Sequence, residues 1–155
     1  MPPPSNFWAR DFSAAPCVSS SDGRRHDVAT IDDIPSIVPA YATMLAEVGI
    51  VTTDQLLERG SDRAARRRLS AETGIGVRLI TRWVQQADLL RIEGLDGADV
   101  DWLISAGIES VERLGRCRAD RLHQLCIDLR DPPPDAGEVQ RWVGEANRLE
   151  PVVRP

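Results

Sequence analysis

The sequence predicts an all-α protein, with two tandem helix-hairpin-helix repeats packed as one compact domain behind a flexible N-terminal tail. Three observations carry this expectation. No stretch alternates apolar and polar residues as a half-buried strand must. Glycine, proline and Ser/Thr/Asp residues punctuate the chain at the spacing of short capped helices. The chain also resembles itself at a fixed offset, the signature of a repeated structural unit.

Each element has a local cause. Residues 1–28 are rich in Pro, Ser, Ala and Asp without a sustained apolar period, and read as a tail. One island interrupts it, Phe7-Trp8-Ala9-Arg10-Asp11-Phe12. A single helical turn would place Trp8 and Phe12 on one face, so Phe7, Trp8 and Phe12 are candidates for docking on the domain or on a partner. Pro39 suits the first turn of a helix and Gly49 its left-handed stop. Thr52 and Gln55 fit a capping box for a helix from Thr53 to Arg59. Ser61 or Asp62 caps a helix ending before Gly74. A longer helix from about Val77 to Leu90 carries an apolar stripe of Leu79, Ile80, Trp83, Val84, Ala87 and Leu90. Helices over Gly97 to Ala106, Val111 to about Arg118 and Ala119 to Leu129 follow, then a break at Pro132-Pro133-Pro134. A last helix spans about Ala136 to Arg148, and residues 150–155 read as a C-terminal tail.

An offset of 58 places Ile34 on Ile92, Ile37 on Leu95, Leu45 on Leu103, Gly49-Ile50 on Gly107-Ile108, Thr52 on Ser110 and Leu56 on Leu114. Ala46 falls on Ile104, a looser match. One residue out of phase, Arg82-Trp83-Val84 with Ala87 matches Arg141-Trp142-Val143 with Ala146. The domain, 29–149, thus divides into repeats of about 29–90 and 91–149. In each, a tight turn joins two helices, then a Gly-Ile stop and a Ser/Thr cap start the next. That order is the helix-hairpin-helix pattern. Its hairpin presents backbone amides at a helix start, where orphan N–H groups and the helix dipole favour a phosphate oxygen.

Residues from about Asp27 to Arg148 resemble the DUF4332 family, a bacterial helix-hairpin-helix family of unknown function. The matching elements are Pro39-Ala40-Tyr41-Ala42, Leu45, Gly49-Ile50, Thr52 and Leu56-Leu57, then Arg82-Trp83-Val84, Ala87-Asp88-Leu89, Arg91-Ile92, Gly94 and Gly107-Ile108. For function, the resemblance implies a helical recognition module.

Composition narrows the chemistry. The net charge of −5 weighs against a dedicated nucleic-acid binder. All nineteen basic residues are arginine, so neither a Schiff-base lysine nor a phosphate-loop lysine exists. The three cysteines, Cys17, Cys117 and Cys126, lack disulfide or CxxC spacing. No apolar run approaches the roughly eighteen residues of a membrane span. A reduced, cytoplasmic protein is expected, with no membrane contact. No nucleophile is paired with a base, and neither catalysis nor a cofactor is expected.

Candidate sites follow from charge. The first hairpin, Pro35-Ser36-Ile37-Val38-Pro39, lacks the glycines that let a phosphate approach, and Asp32, Asp33, Glu47 and Asp54 surround it. The second keeps Gly94 and Gly97 around Leu95 but carries Asp96 and lies among Glu93, Asp99 and Asp101. Basic charge gathers between them in Arg59, Arg63, Arg66, Arg67, Arg68, Arg78, Arg82 and Arg91, against Glu58, Asp62, Glu72 and Asp88. On a helix, Arg63, Arg66 and Arg67 share one face while Arg68 points elsewhere. Gly94, Leu95, Gly97, Arg91, Arg63, Arg66 and Arg67 are the candidates for phosphate or nucleic-acid contact. The alternative for these arginines is pairing with the acidic hairpins, in the same molecule or in a self-associated neighbour. Trp83 and Trp142 read as core anchors, Trp102 as a partly exposed interface residue. His123 and Cys126 share a helix face, but ligands for a metal site are too few. The expected role is a non-enzymatic binding or scaffold module for a protein partner. Weak, sequence-nonspecific nucleic-acid binding is the second reading.

Overall fold

The computed structural model describes residues 29–154. They form eight α-helices after a short 3-10 turn at Ile31–Asp33. In chain order these are α1 (Pro39–Glu47), α2 (Thr53–Arg59), α3 (Arg63–Thr73), α4 (Val77–Leu89), α5 (Gly97–Ser105), α6 (Val111–Gly115), α7 (Ala119–Leu129) and α8 (Ala136–Ala146). The fold is all-α. One isolated bridge, Thr30 to Thr52, is the sole β pairing among the described residues.

Local chemistry explains most boundaries. Pro39 occupies the first turn of α1, where its missing N–H costs nothing. The Thr52 hydroxyl accepts from Gln55 N at 3.2 Å, and the Gln55 side chain returns a bond to Thr52 N, so α2 begins with the expected reciprocal box. Of the two candidates for the α3 cap, Asp62 serves, accepting from Ala65 N at 2.7 Å. Gly49 and Gly107 follow α1 and α5 with φ of 83° and 88°, a left-handed conformation that costs a side chain energy. Ile50 N and Ile108 N then bond back to Leu45 O and Leu103 O at 2.9 and 2.8 Å.

Two apolar cores lie side by side. The first gathers Ile34, Leu45, Ile50, Leu56, Leu69, Ile80 and Trp83 from α1–α4 and the turn before them. The second gathers Ile92, Leu103, Leu114, Leu122, Cys126, Val139 and Trp142 from α5–α8 and the turn before them. Leu90 packs against both. α4 is the spine of the first half, against α2 and α3, and α8 that of the second, against α6 and α7. Both carry the Arg-Trp-Val element, and Trp83 and Trp142 are buried. The Tyr41 ring lies 5.2 Å from that of Trp83, tilted by 56°.

The halves are joined by polar groups as well as by the packing of α4 on α5. Ser36 Oγ donates to Gln86 Oε1, while Gln86 Nε2 donates to Asp101 Oδ1 at 2.5 Å. Arg82 reaches the same carboxylate oxygen at 3.1 Å. Asp88, buried on α4, accepts from Val111 N at 2.8 Å and from Arg91 at 2.9 Å.

Three expectations need correction. Leu79, placed on the core stripe of α4, is 38% exposed, because Ile80, Trp83, Val84 and Ala87 already fill the buried arc. α6 stops at Gly115 rather than near Arg118, its last turn tightened by Arg116 N bonding to Glu112 O and Arg113 O. Residues 150–154 do not trail away. Val152 and Val153 pack on the first core, and Arg154 N donates to Ser61 O at 2.8 Å. They form a strap from the end of the second half back across the first.

Candidate functional site

The two segments expected as hairpins differ: contrary to expectation the first follows only the 3-10 turn at Ile31–Asp33, whereas the second follows α4. Gly94 adopts φ of 89°, whereas Ser36, at its position under the 58-residue offset, does not enter the left-handed region. Val38 stands 49% exposed at the cap of α1 and contributes no side-chain bond. In the second hairpin two carboxylates sit on the helix start and bond two of its amides. Asp96 accepts from Asp99 N at 2.8 Å, and Asp99 accepts from Asp96 N at 3.3 Å. Asp99 is largely buried and ion-paired with Arg130. Gly97 faces the first hairpin so closely that an added Cβ would overlap the Pro35 ring. Leu95 is buried. The start of α5 is therefore closed by its own carboxylates and by the opposing proline ring.

The sequence-derived phosphate candidates do not converge. Gly94 opens onto a depression walled by Glu93, Glu138, Arg141, Trp142 and Glu145. Arg91 is held by Asp88 and by the Glu150 carbonyl at 3.1 Å. Arg63, Arg66 and Arg67 do come together, but in another place. With Arg78 and Arg82 of α4 they line an open cleft of about 820 Å³ that Ile104 and Glu109 of the second half complete. Arg68 points away, into a separate depression with Glu58, Asp62 and Glu72.

The electrostatics of this cleft are uneven. Arg82 is neutralised by Asp101, so one arginine does pair with the second hairpin's helix. Arg63, Arg67 and Arg78 form no ion pair among the described residues. Arg66 is buried, and it donates to the carbonyls of Gly60 at 3.3 Å and Arg154 at 3.0 Å rather than to a carboxylate. Burial pulls its guanidinium below the ordinary pKa. A neighbouring depression shares Arg66, Thr81, Gln85 and Glu109 and adds Arg113, Arg116 and Arg154. Sequence reasoning found the α3 arginines from their helical spacing. It placed Arg78 and Arg82 in the same basic segment, but it missed that Val77, Leu79 and Ile104 add apolar side chains to the lining.

Other candidates are placed as follows. Trp102 is half-buried against the second core, with the Arg130 guanidinium 6.0 Å from its ring centroid. Cys117 and Cys126 are free thiols, and burial pushes both upward in pKa. No group of three His, Cys, Asp or Glu side chains suited to a metal ion occurs among the described residues. No helix there is long and apolar enough to cross a membrane. Phe7, Trp8 and Phe12 lie outside the described residues.

No curated protein and no solved structure matches the chain significantly. Residues 35–149 match the family described as Domain of unknown function (DUF4332). That match takes in α1 to α8, including both hairpins, both Arg-Trp-Val elements and the arginine cleft between them. The chain thus belongs to the DUF4332 family.

Proposed function

We propose that the chain is a non-enzymatic protein-binding module, built from two helix-hairpin-helix units that serve as scaffold rather than as a grip on phosphate. The closed second hairpin carries this reading. Asp96 and Asp99 set two carboxylates at the helix start where an anion would bind, and Pro35 abuts Gly97. The paired use of Gly49 with Gly107, and of Thr52 with Ser110 as helix caps, supports the two-unit description. The buried polar side chains Gln86, Asp88 and Asp99 are occupied in joining elements, in keeping with a structural rather than a catalytic use. A scaffold of this kind works by the surface it holds rigid.

A titration of duplex DNA by fluorescence anisotropy tests the reading. At about 150 mM salt the dissociation constant is expected no tighter than the nonspecific range, about 10⁻⁴–10⁻⁶ M. Nanomolar binding with a steep salt slope, lost when Arg63, Arg67 and Arg78 are replaced by Glu, would instead establish a nucleic-acid binder.

A further inference from the structure

We infer that the arginine cleft between α3, α4 and the end of α5 is a docking site for an acidic peptide segment that also carries apolar side chains. The inference rests on the protein-binding reading above and names the chemistry of the partner. Three observations converge on it. Arg63, Arg67 and Arg78 project into one cleft without a carboxylate partner among the described residues. Arg66 behind them is buried with only carbonyl oxygens to bond, so its charge is not neutralised at contact distance. A buried charge whose counter-charge, Asp62, acts only from a distance stays costly, and an anion entering the cleft would relieve part of that cost. The third observation is apolar. Val77 and Leu79 of α4, each 38% exposed, line the cleft together with Ile104 of α5.

These features select a peptide over other polyanions. A phosphate backbone would find the arginines but would have no use for Val77, Leu79 and Ile104. Bases would need aromatic rings to stack on, and none lines the cleft. Glu109 on the wall repels a uniformly charged polymer, yet it can be passed by a segment whose carboxylates are spaced apart. An amphipathic helix or extended segment with carboxylates at Arg63, Arg67 and Arg78 and a Leu or Ile against Leu79 satisfies both surfaces. Carboxylate meets guanidinium as a two-pronged hydrogen-bonded pair, which fixes direction as well as charge.

The test uses the full chain and a fluorescein-labelled peptide of about twelve residues, with Glu and Leu at helical spacing. A Glu/Ser peptide of equal charge and a single-stranded oligonucleotide of similar length are the comparisons. The Glu/Leu peptide is expected to bind saturably and about tenfold more tightly than the Glu/Ser peptide. The triple substitution Arg63→Glu, Arg67→Glu and Arg78→Glu should weaken it by more than about tenfold. Leu79→Ser should erase the preference for Glu/Leu while leaving the Glu/Ser affinity unchanged. All four side chains are at least partly exposed, and circular dichroism melts serve as the folding control. Binding of the oligonucleotide as tightly as the peptide through these arginines would overturn the peptide assignment. So would cleft-dependent dimerisation of the chain in sedimentation, which would make a second copy the occupant. Weak DNA binding together with no peptide binding would overturn this inference and leave the scaffold reading standing.

Discussion

Asp88 shows how much one side chain can hold. It lies almost fully buried near the end of α4, and its two oxygens divide between Arg91 and the Val111 amide at the start of α6. One oxygen fixes the turn into the second half, and the other fixes the helix beyond it. Replacing it with alanine would strand a buried N–H and free an arginine that also holds the Glu150 carbonyl. The expected cost of Asp88→Ala is about 3 kcal/mol, measured by urea unfolding. Asp88→Asn can still accept from Val111 N and should cost less. The sequence gives no hint of this role, since an Asp inside an Ala-Asp-Leu run reads as a solvated helix position. By contrast, Trp83 and Trp142 announce themselves by recurring in the same tripeptide, and both are buried. Trp83 keeps one defect, an indole N–H with no partner among the described residues.

At the scale of elements, legibility tracks local chemistry. α2 and α7 have the bounds their sequence predicts, and α3 ends at Gly74 in the left-handed conformation that a stop glycine supplies. What could not be read locally was set by neighbours. Leu79 fits the apolar period of α4, but whether a residue on the edge of the stripe is covered depends on which helix packs there. α3 covers one side of α4 and α5 another, and the gap between them became the cleft. The contact of the two hairpins is likewise a tertiary fact. Gly97 has φ outside the left-handed region, so its lack of a side chain serves space and not backbone freedom. Gly97→Ala should therefore cost about 1–3 kcal/mol, because the rigid Pro35 ring must move. The double variant Pro35→Ala with Gly97→Ala should recover part of that loss in thermal melts, a coupling that independent sites would not show.

For the whole molecule, the decisive element is the strap at residues 150–154. Two valines in a short Pro-Val-Val-Arg run look like tail by composition, and nothing in their period signals burial. Their place is fixed by one backbone bond, from Arg154 N to Ser61 O, and by Arg66 and Arg91 reaching the carbonyls of Arg154 and Glu150. Deleting residues 150–155 should destabilise the protein by about 2–4 kcal/mol, from two partly buried valines and the lost hydrogen bonds. The loss should fall on the first half, visible as faster amide hydrogen exchange in α3 with α7 little changed. Equal loosening of both halves would mean that the strap supports the junction rather than the first core.

That strap sets an order of events during synthesis. α1 to α4 leave the ribosome well before residues 152 and 153, so the nascent first half must wait with part of its core uncovered and with Arg66 lacking one of its two carbonyl partners. Only the later emergence of residues 150–154 supplies the missing piece. A chain cut just before residue 150 would keep every helix of the second half and still leave the core of the first half open to water.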